Sequence, residues 1–458
     1  MQTRNSLAKV STRGRGSVED QDTRRDVIHA LNCALAAASP RSILRNSIEL
    51  NGEILRVGSL KLNLSSYDRI LVIGGGKATA SMAFEIEKLL GSRITAGSVN
   101  VPDYLKHIPK TKRITLNKAS HPIPSNFGVR GVERMLRLVE TPTKRDLVIC
   151  LISGGGSALM PLPLAGLKLS DDQKITGMLL KSGAPINEIN VVRKHLSGIK
   201  GGRLAEILFP ARVLTLIISD VVGDPLDAIA SGPTVPDPTT YSDAKRILLK
   251  HGLWNRIPKK VKTIIERGIA EPSKETPKAN SSIFKRVSNV LVGTNMKSCA
   301  SAAECLRSAG YKTRILSTHV QGEAKEIGKF YAGILSDMKQ EHSPSALVAG
   351  GETTVSISDG AGLGGRNQEL VLSSAVGIEG VVGAVIASIG TDGVDGPTDA
   401  AGAIADHGTI ERARRRGIDA AESLQNHDSY HFFEKVGDLL ITGPTGTNVN
   451  DITILAVK

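Results

Sequence analysis

Two glycine turns, each closing an apolar run, carry the residues best suited to chemistry. In the first, Asp68-Arg-Ile-Leu-Val-Ile73 runs into Gly74, Gly75 and Gly76, with Lys77 directly behind. In the second, Leu147-Val-Ile-Cys-Leu-Ile152 runs into Ser153, Gly154, Gly155, Gly156 and Ser157. A glycine turn between a strand and a helix exposes bare backbone N–H groups, and these suit phosphate or carboxylate oxygens. A lysine beside such a turn neutralises bound or developing negative charge. Asp220 and Asp392 follow two further apolar runs, where a carboxylate can hold Mg²⁺ together with phosphate and water or accept a hydroxyl proton. Asp224 before proline and Asp395 before glycine read as turn formers. Arg366, behind Gly364 and Gly365, offers a planar fork to a carboxylate or phosphate. Arg193, Lys194, His195 and Lys200 make a cation-dense stretch that faces either an anion or solvent. His121, before Pro122, reads as a lone structural histidine.

Several chemistries are disfavoured by spacing. Gly74–Lys77 is no P-loop, because the glycine five residues ahead of the second motif glycine is missing. It also departs from the dinucleotide fingerprint, since Thr79 stands where a third glycine or alanine belongs. Ser157, His121 and Asp392 would be the members of a hydrolase triad, but no G-x-S-x-G elbow surrounds Ser157. No His/Cys pair has zinc-ligand spacing.

The elements that must position these residues are alternating strands and helices. The run 147–152 has no polar interruption, as expected of a strand buried on both faces of a parallel sheet. Helices are expected over 22–38, 78–90, 128–139 and 170–181, with another buried strand over 213–218. A second α/β unit begins with the strand 289–293 and the helix 296–309, and the polar, proline-punctuated stretch between the two units reads as a linker. The expected division is a basic flexible leader over 1–21, an amino-terminal domain over 22–255, a linker over 256–287 and a carboxyl-terminal domain over 288–458. The leader has the bias of a transit peptide and equally of a frayed tail.

With 458 residues and a net charge of +13, the chain is long enough for two domains. Its cations are spread out with few aromatics between them, which favours small anions over nucleic acid. No run is long enough to span a membrane. The four cysteines, Cys33, Cys150, Cys299 and Cys305, lack CxxC spacing and read as reduced thiols of a cytoplasmic protein.

Taken together, these stretches resemble the glycerate 2-kinase family with a MOFRL carboxyl-terminal domain. The resemblance is carried by Gly74–Ala78, Ser120–Pro122, Ile152–Ala158, Asn190–Ser197 with Lys200–Gly202, Ser219–Asp224 and Ser231–Thr234. It continues through Gly350–Glu352, Gly364–Glu369, Gly390–Gly396 and Thr442–Asn448. It implies an α/β fold of two domains: a Rossmann-like α/β/α sandwich and a MOFRL α/β domain over about 344–452, with the active site in the cleft between them. It further implies phosphoryl transfer from ATP, with Mg²⁺, to the 2-hydroxyl of D-glycerate, by a monomer or homodimer with no nucleic-acid or membrane partner. Lys77, Asp220 and Arg366 match the family's polar cleft positions and are the expected catalytic residues, Arg366 as the clamp on the glycerate carboxylate. The two glycine turns with Arg193 and Lys200 are expected to bind substrate or phosphate, and Asp220, Glu352 and Asp392 to bind metal or nucleotide. The alternatives are a nicotinamide-dependent hydroxypyruvate reductase, which the Thr79 departure disfavours, and a non-catalytic organic-anion-binding protein.

Overall fold

The computed structural model describes residues 8–105, 107–341, 343–357 and 360–458. It divides into two compact units, one running Leu44–Val292 and the other made of the chain up to Ile43 together with Gly293–Lys458.

The Leu44–Val292 unit is built on six strands: β1 Arg69–Gly75, β2 Ala96–Pro102, β3 Ile114–Ala119, β4 Asp146–Ser153, β5 Arg212–Ile218 and β6 Val287–Gly293. Their order across the sheet is β3-β2-β1-β4-β5-β6. The pairings among β1 to β5 are parallel. β4 is buried along its whole length, as its unbroken apolar run requires. Leu71, Ile73, Val148, Cys150 and Ile152 pack against Val132 and Met135 of the helix Asn126–Leu138 and against Leu204 and Leu208. The strand order reverses between β1 and β4. At such a switch point the loops leaving neighbouring strands diverge to opposite faces and open a crevice at the carboxyl edge. Both glycine turns leave the sheet there.

The other unit is a mixed sheet of β7 Lys312–Val320, β8 Ser345–Gly351, β9 Ala384–Gly390, β10 Gly402–Asp406, β11 Leu439–Leu440 and β12 Asp451–Val457, in the order β7-β8-β12-β9-β10-β11. β12 runs antiparallel between β8 and β9, so its first residue, Asp451, is paired with both Gly351 and Gly390. One face is covered by the helices Gln21–Ala38 and Asn295–Ser308, through Val27, Leu31, Cys299 and Leu306. The other is covered by Ala324–Lys339 and Arg366–Gly377, through Tyr331, Leu335 and Leu372.

These contacts correct the expected domain plan in four places. The helix Gln21–Ala38 belongs with the carboxyl-terminal sheet: its apolar stripe is complementary to the helix Asn295–Ser308 and not to the strands that follow it in sequence. The expected leader is docked from residue 8 on. Val10 is buried, its amide donates to Asn32 Oδ1, and Ser11 pairs with Ile441; residues 1–7 lie outside the described residues. The expected linker carries the helix Lys259–Ala270, whose Val261 and Ile265 are buried with Tyr241 and Leu248 in the amino-terminal unit. The strand 287–293, expected to open the second unit, completes the first sheet as its edge.

The cysteine reading is corrected too. Cys33 and Cys305 are joined by a disulfide across 272 positions of sequence, because the two helices that carry them are neighbours. Cys150 and Cys299 are free and buried. No single helix among the described residues is long and apolar enough to cross a membrane.

Gly268 shows how closely the supposed linker packs, since a Cβ there would overlap the ring of Tyr241. In a free linker helix, Gly268→Ala would stabilise the protein by helix propensity. Here it is expected to destabilise by about 1–3 kcal/mol, read as a lowered denaturant midpoint at unchanged m. A stabilised variant would mean that this helix does not pack as described.

Candidate active site

The two glycine turns are bonded to one another. Lys77 N donates to the Gly154 carbonyl at 2.8 Å, Ala78 N donates to Ser153 Oγ at 3.0 Å, and Gly76 N donates to the Asn100 carbonyl at 3.4 Å. The first turn thus spends its amides on the protein. Ser153, fully buried, uses its hydroxyl to hold the start of the helix Thr79–Leu90. The second turn differs: among the described residues the amides of Gly155, Gly156 and Ser157 donate to no group, and the next amide, of Ala158, donates to the Gly155 carbonyl at 3.1 Å. Gly155 takes a left-handed φ of 76° that aims this turn outward.

Three side chains converge on the second turn. A Cβ at Gly154 would overlap the Asp220 carboxylate, while one at Gly155 would stand 2.8 Å from His121 Nε2 and 3.2 Å from Lys77 Cγ. Among the described residues the Lys77 ammonium makes no ion pair. Burial, and then the charge of Lys77, holds the His121 imidazole down to about 4, so it is neutral at physiological pH. Asp224 sits in a turn with φ 54°, in keeping with its reading as a turn former.

The cation-dense stretch splits into two fates. Lys194 is paired with Asp227 at 3.0 Å and Asp237 at 3.4 Å, and His195 is bonded to Glu275 at 3.0 Å. These are structural. Among the described residues, Arg193 and Lys200 have no carboxylate within ion-pair distance, although the charge of Asp172 acts on both. Arg193 reaches the Ser157 carbonyl at 3.4 Å with its Nε buried and unpartnered. Lys200 is 3 % exposed, and burial reinforced by the charge of Arg193 pushes its ammonium down to about 7. For both cations the charge of Asp172 is outweighed by burial, a desolvation of roughly several kcal/mol that a bound anion would relieve. Ser157 Oγ also bonds Ser231 Oγ at 2.9 Å, and Ser231 bonds Asn190. Ala230 and Ser231 hold φ values of 51° and 60°, unusual for residues with a Cβ.

Arg366, Glu352 and Asp392 lie in the other unit, at the end of its sheet where β8 and β9 finish and β12 begins. Arg366 is bidentate on Asp451, at 2.6 and 2.9 Å, and donates to Glu352 Oε1 at 2.9 Å. This pairing keeps the guanidinium charged, while burial pushes Asp451 up to about 7 against the pull of Arg366. Glu352 Oε2 accepts from Asn450 at 3.1 Å, and Asp392 Oδ1 accepts from Val394 N at 3.2 Å. Asp395 is more than a turn former: fully buried, it accepts from the backbone and side-chain nitrogens of Asn367 and Gln368 and so holds the start of the helix Arg366–Gly377.

The structure therefore gathers Lys77, Gly154–Ser157, Arg193, Lys200 and Asp220 in one unit, and Glu352, Arg366 and Asp392 in the other. Sequence reasoning missed Asp451, His121, Asn190 and Ser231 as participants. Ser120-His-Pro122 and Ser231-Gly-Pro-Thr234 signalled His121 and Ser231 as parts of proline-rigid loops, and Asn190 opened the stretch Asn190–Ser197; Asp451 had no signal. The donors fit a nucleoside triphosphate and Mg²⁺: open amides and unpaired buried cations suit phosphate oxygens. Among the described residues, no set of three or more His, Cys, Asp or Glu ligand atoms gathers around Asp220, Glu352 or Asp392. Mg²⁺ needs no such cage, because it is held by one or two carboxylates with phosphate and water.

A doubly wound sheet with two interlocked glycine turns at its switch point, joined to a mixed α/β unit, defines the class of protein. Family comparison agrees. The model described as a domain of unknown function, DUF4147, matches residues 26–266, and the MOFRL family model matches 345–451. A glycerate 2-kinase of Pyrococcus horikoshii is 42% identical, over 95% of this chain and 98% of its own. A protein of Agrobacterium vitis named putative hydroxypyruvate reductase is 42% identical, over 85% of this chain and 99% of its own. The crystal structure of a glycerate kinase from Thermotoga maritima superposes with a TM-score of 0.85 at 40% identity, covering 96% of this chain and 100% of that one. This chain belongs to the glycerate kinase family with DUF4147 and MOFRL domains.

The depressed His121 makes a pH prediction. Its folded pKa lies below the ordinary 6.5, so the unfolded chain binds the proton more readily. Its contribution to stability is complete above pH 6.5 and is lost as pH falls toward 4. His121→Gln is expected to flatten the fall in unfolding free energy between those values; parallel curves for the two proteins would refute the assignment.

Proposed function

We propose that this protein, a glycerate kinase, transfers the terminal phosphoryl group of ATP, with Mg²⁺, to the 2-hydroxyl of D-glycerate, giving 2-phosphoglycerate and ADP. The observation that carries the reading is the cradle of open Gly155–Ser157 amides beside Lys77, with the unpaired pair Arg193 and Lys200 one contact away. Phosphoryl transfer is mostly positioning and charge neutralisation, and these groups supply both.

In this reading the Gly155–Ser157 amides and Lys77 grip the phosphate in transfer, and Arg193 with Lys200 takes the glycerate carboxylate. Asp220, held against Gly154, orients the 2-hydroxyl and accepts its proton as the oxygen bonds to phosphorus and ADP leaves. His121, neutral, packs against the turn without adding charge. Ser153 is proposed to position the turn rather than touch ligand. Arg366 already faces two carboxylates, so we assign it the fixing of Glu352 and Asp451, in place of the expected clamp on glycerate. Glu352 and Asp392 are the proposed carboxylates for the metal–nucleotide, and Mg²⁺ there would neutralise phosphate charge.

The first-turn amides argue against the reductase alternative. In a dinucleotide fold the pyrophosphate sits on the turn after β1, and here the amides of Gly76, Lys77 and Ala78 are already bonded to Asn100, Gly154 and Ser153.

The test is ADP release from Mg-ATP with D-glycerate, the product assigned by phosphorus NMR. A phosphate on carbon 2 is expected; one on carbon 3 would overturn the regiochemistry, and no ADP above the blank would overturn the kinase. Lys77→Ala is expected to lower kcat/KM by about 10²-fold or more, with the melting curve unchanged. Gly154→Ala, by displacing Asp220, is expected to lower kcat more than it raises KM.

A further inference from the structure

The Cys33–Cys305 disulfide has no part in the reaction proposed above. Cys33 lies on the helix Gln21–Ala38 and Cys305 on Asn295–Ser308, which pack through Ala30, Ala34, Ala302 and Ala303. The Ser301 hydroxyl clips them further by donating to the Cys33 carbonyl at 3.1 Å. The whole of Leu44–Val292 lies between them in sequence, so one covalent bond joins the two chain segments that together make the other unit. The two sulfur residues are half-buried and within reach of solvent, unlike Cys150 and Cys299, whose thiols burial pushes up to about 12. One helical turn before Cys33 stands exposed His29, its Nε2 3.9 Å from Cys33 Sγ.

We propose that Cys33–Cys305 is a thiol–disulfide exchange site that, when oxidised, locks the two-segment unit and, when reduced by a dithiol, unlocks it, with His29 assisting the departure of Cys33. The attacking thiolate of the dithiol bonds to Cys305 Sγ, the Cys33–Cys305 bond breaks, and Cys33 leaves as a thiolate that takes a proton. The second thiol of the dithiol then displaces Cys305 from the mixed disulfide. Two electrons pass to the protein, and the dithiol ends as its own disulfide. An imidazole beside Cys33 favours its thiolate, making Cys33 the better leaving group. Oxidation reverses the sequence with a disulfide of the same class as acceptor.

Measurements on the whole 458-residue chain decide the matter. Peptide mapping without reductant, after exposure to oxidised glutathione, is expected to give a linked Cys33–Cys305 peptide; alkylation of both residues instead would overturn the site. Dithiothreitol is expected to lower the melting temperature of the oxidised wild type by about 5–10 °C and to leave the Cys33→Ser/Cys305→Ser protein unmoved. Equal shifts in the two proteins, or none, would overturn the lock. His29→Ala is expected to slow reduction by dithiothreitol severalfold at neutral pH without changing the oxidised melting temperature, and an unchanged rate would remove His29 from the site. Zinc retained by the reduced protein in 1:1 ratio, and lost with His29, would make the three residues a metal site instead. ADP release at room temperature is expected to be the same in both redox states, so failure here is distinguishable from failure of the kinase reading.

Discussion

Two backbones approach so closely at the switch point that no side chain fits between them, and the site rests on this constraint. A Cβ at Gly74 would overlap the Leu151 carbonyl, and one at Gly76 would overlap the Ser153 hydroxyl. Both glycines hold φ values near 150°, which side chains rarely tolerate. The close approach lets Lys77 N bond the Gly154 carbonyl, and that bond fixes where the second turn points. The two turns look alike in sequence and differ in structure: the first is a brace whose amides are consumed, while the second, the proposed anion cradle, leaves its amides without partners among the described residues. The brace gives the cradle its rigidity, and preorganised donors are those that stabilise developing charge without reorganising.

Charge follows the same division. Lys194 and His195 are buried against Asp227, Asp237 and Glu275, and this network ties the 237–276 region to the sheet. Arg193 and Lys200, neighbours of those residues in sequence, are buried without such partners. Packing gives no reason to put two cations there, since a leucine or methionine would fill the space without the desolvation cost. The anion proposed to bind there would supply the reason, and Arg193 reaches the Ser157 carbonyl beside the second turn.

What the sequence revealed of this architecture was what short-range physics determines. Largely apolar runs at 70–73, 147–152 and 213–218 are strands, and the glycines after the first two are turns, because burial on both faces and positive φ each leave a local mark. The helix 21–38 was legible as a helix, but its stripe of Val27, Leu31 and Leu35 does not say which sheet it covers; only complementarity with Ala302 and Leu306 decides that. The stretch 254–286 reads as a linker because its apolar residues are few, although Val261, Ile265 and Thr276 are buried and suffice to dock it. The partnership of Cys33 with Cys305, and of Arg366 with Asp451, depends on helix and strand neighbours that are distant in sequence, so spacing carried no trace of either. Legibility ended where one residue's role was set by another far along the chain.

Arg366 and Lys77 illustrate that limit in opposite directions. Both follow glycines, both are cationic, and both look equally suited to an anion. Lys77 stands beside a neutral histidine and the Gly155–Ser157 amides, with the Asp220 carboxylate against the same turn, so its surroundings are mixed rather than acidic. Arg366 is flanked by Asp451 and Glu352, with Asp392 at the same end of the sheet, so the charge around it is negative on balance. A carboxylate or phosphate brought to Arg366 would have to displace a bidentate partner and would meet two more acids. A cation would meet none of this resistance, and an arginine that holds two carboxylates in place keeps them from repelling one another apart. The arginine in the one unit thus braces an acidic end, while the lysine in the other stands among amide donors, although the motifs that carry them are nearly the same.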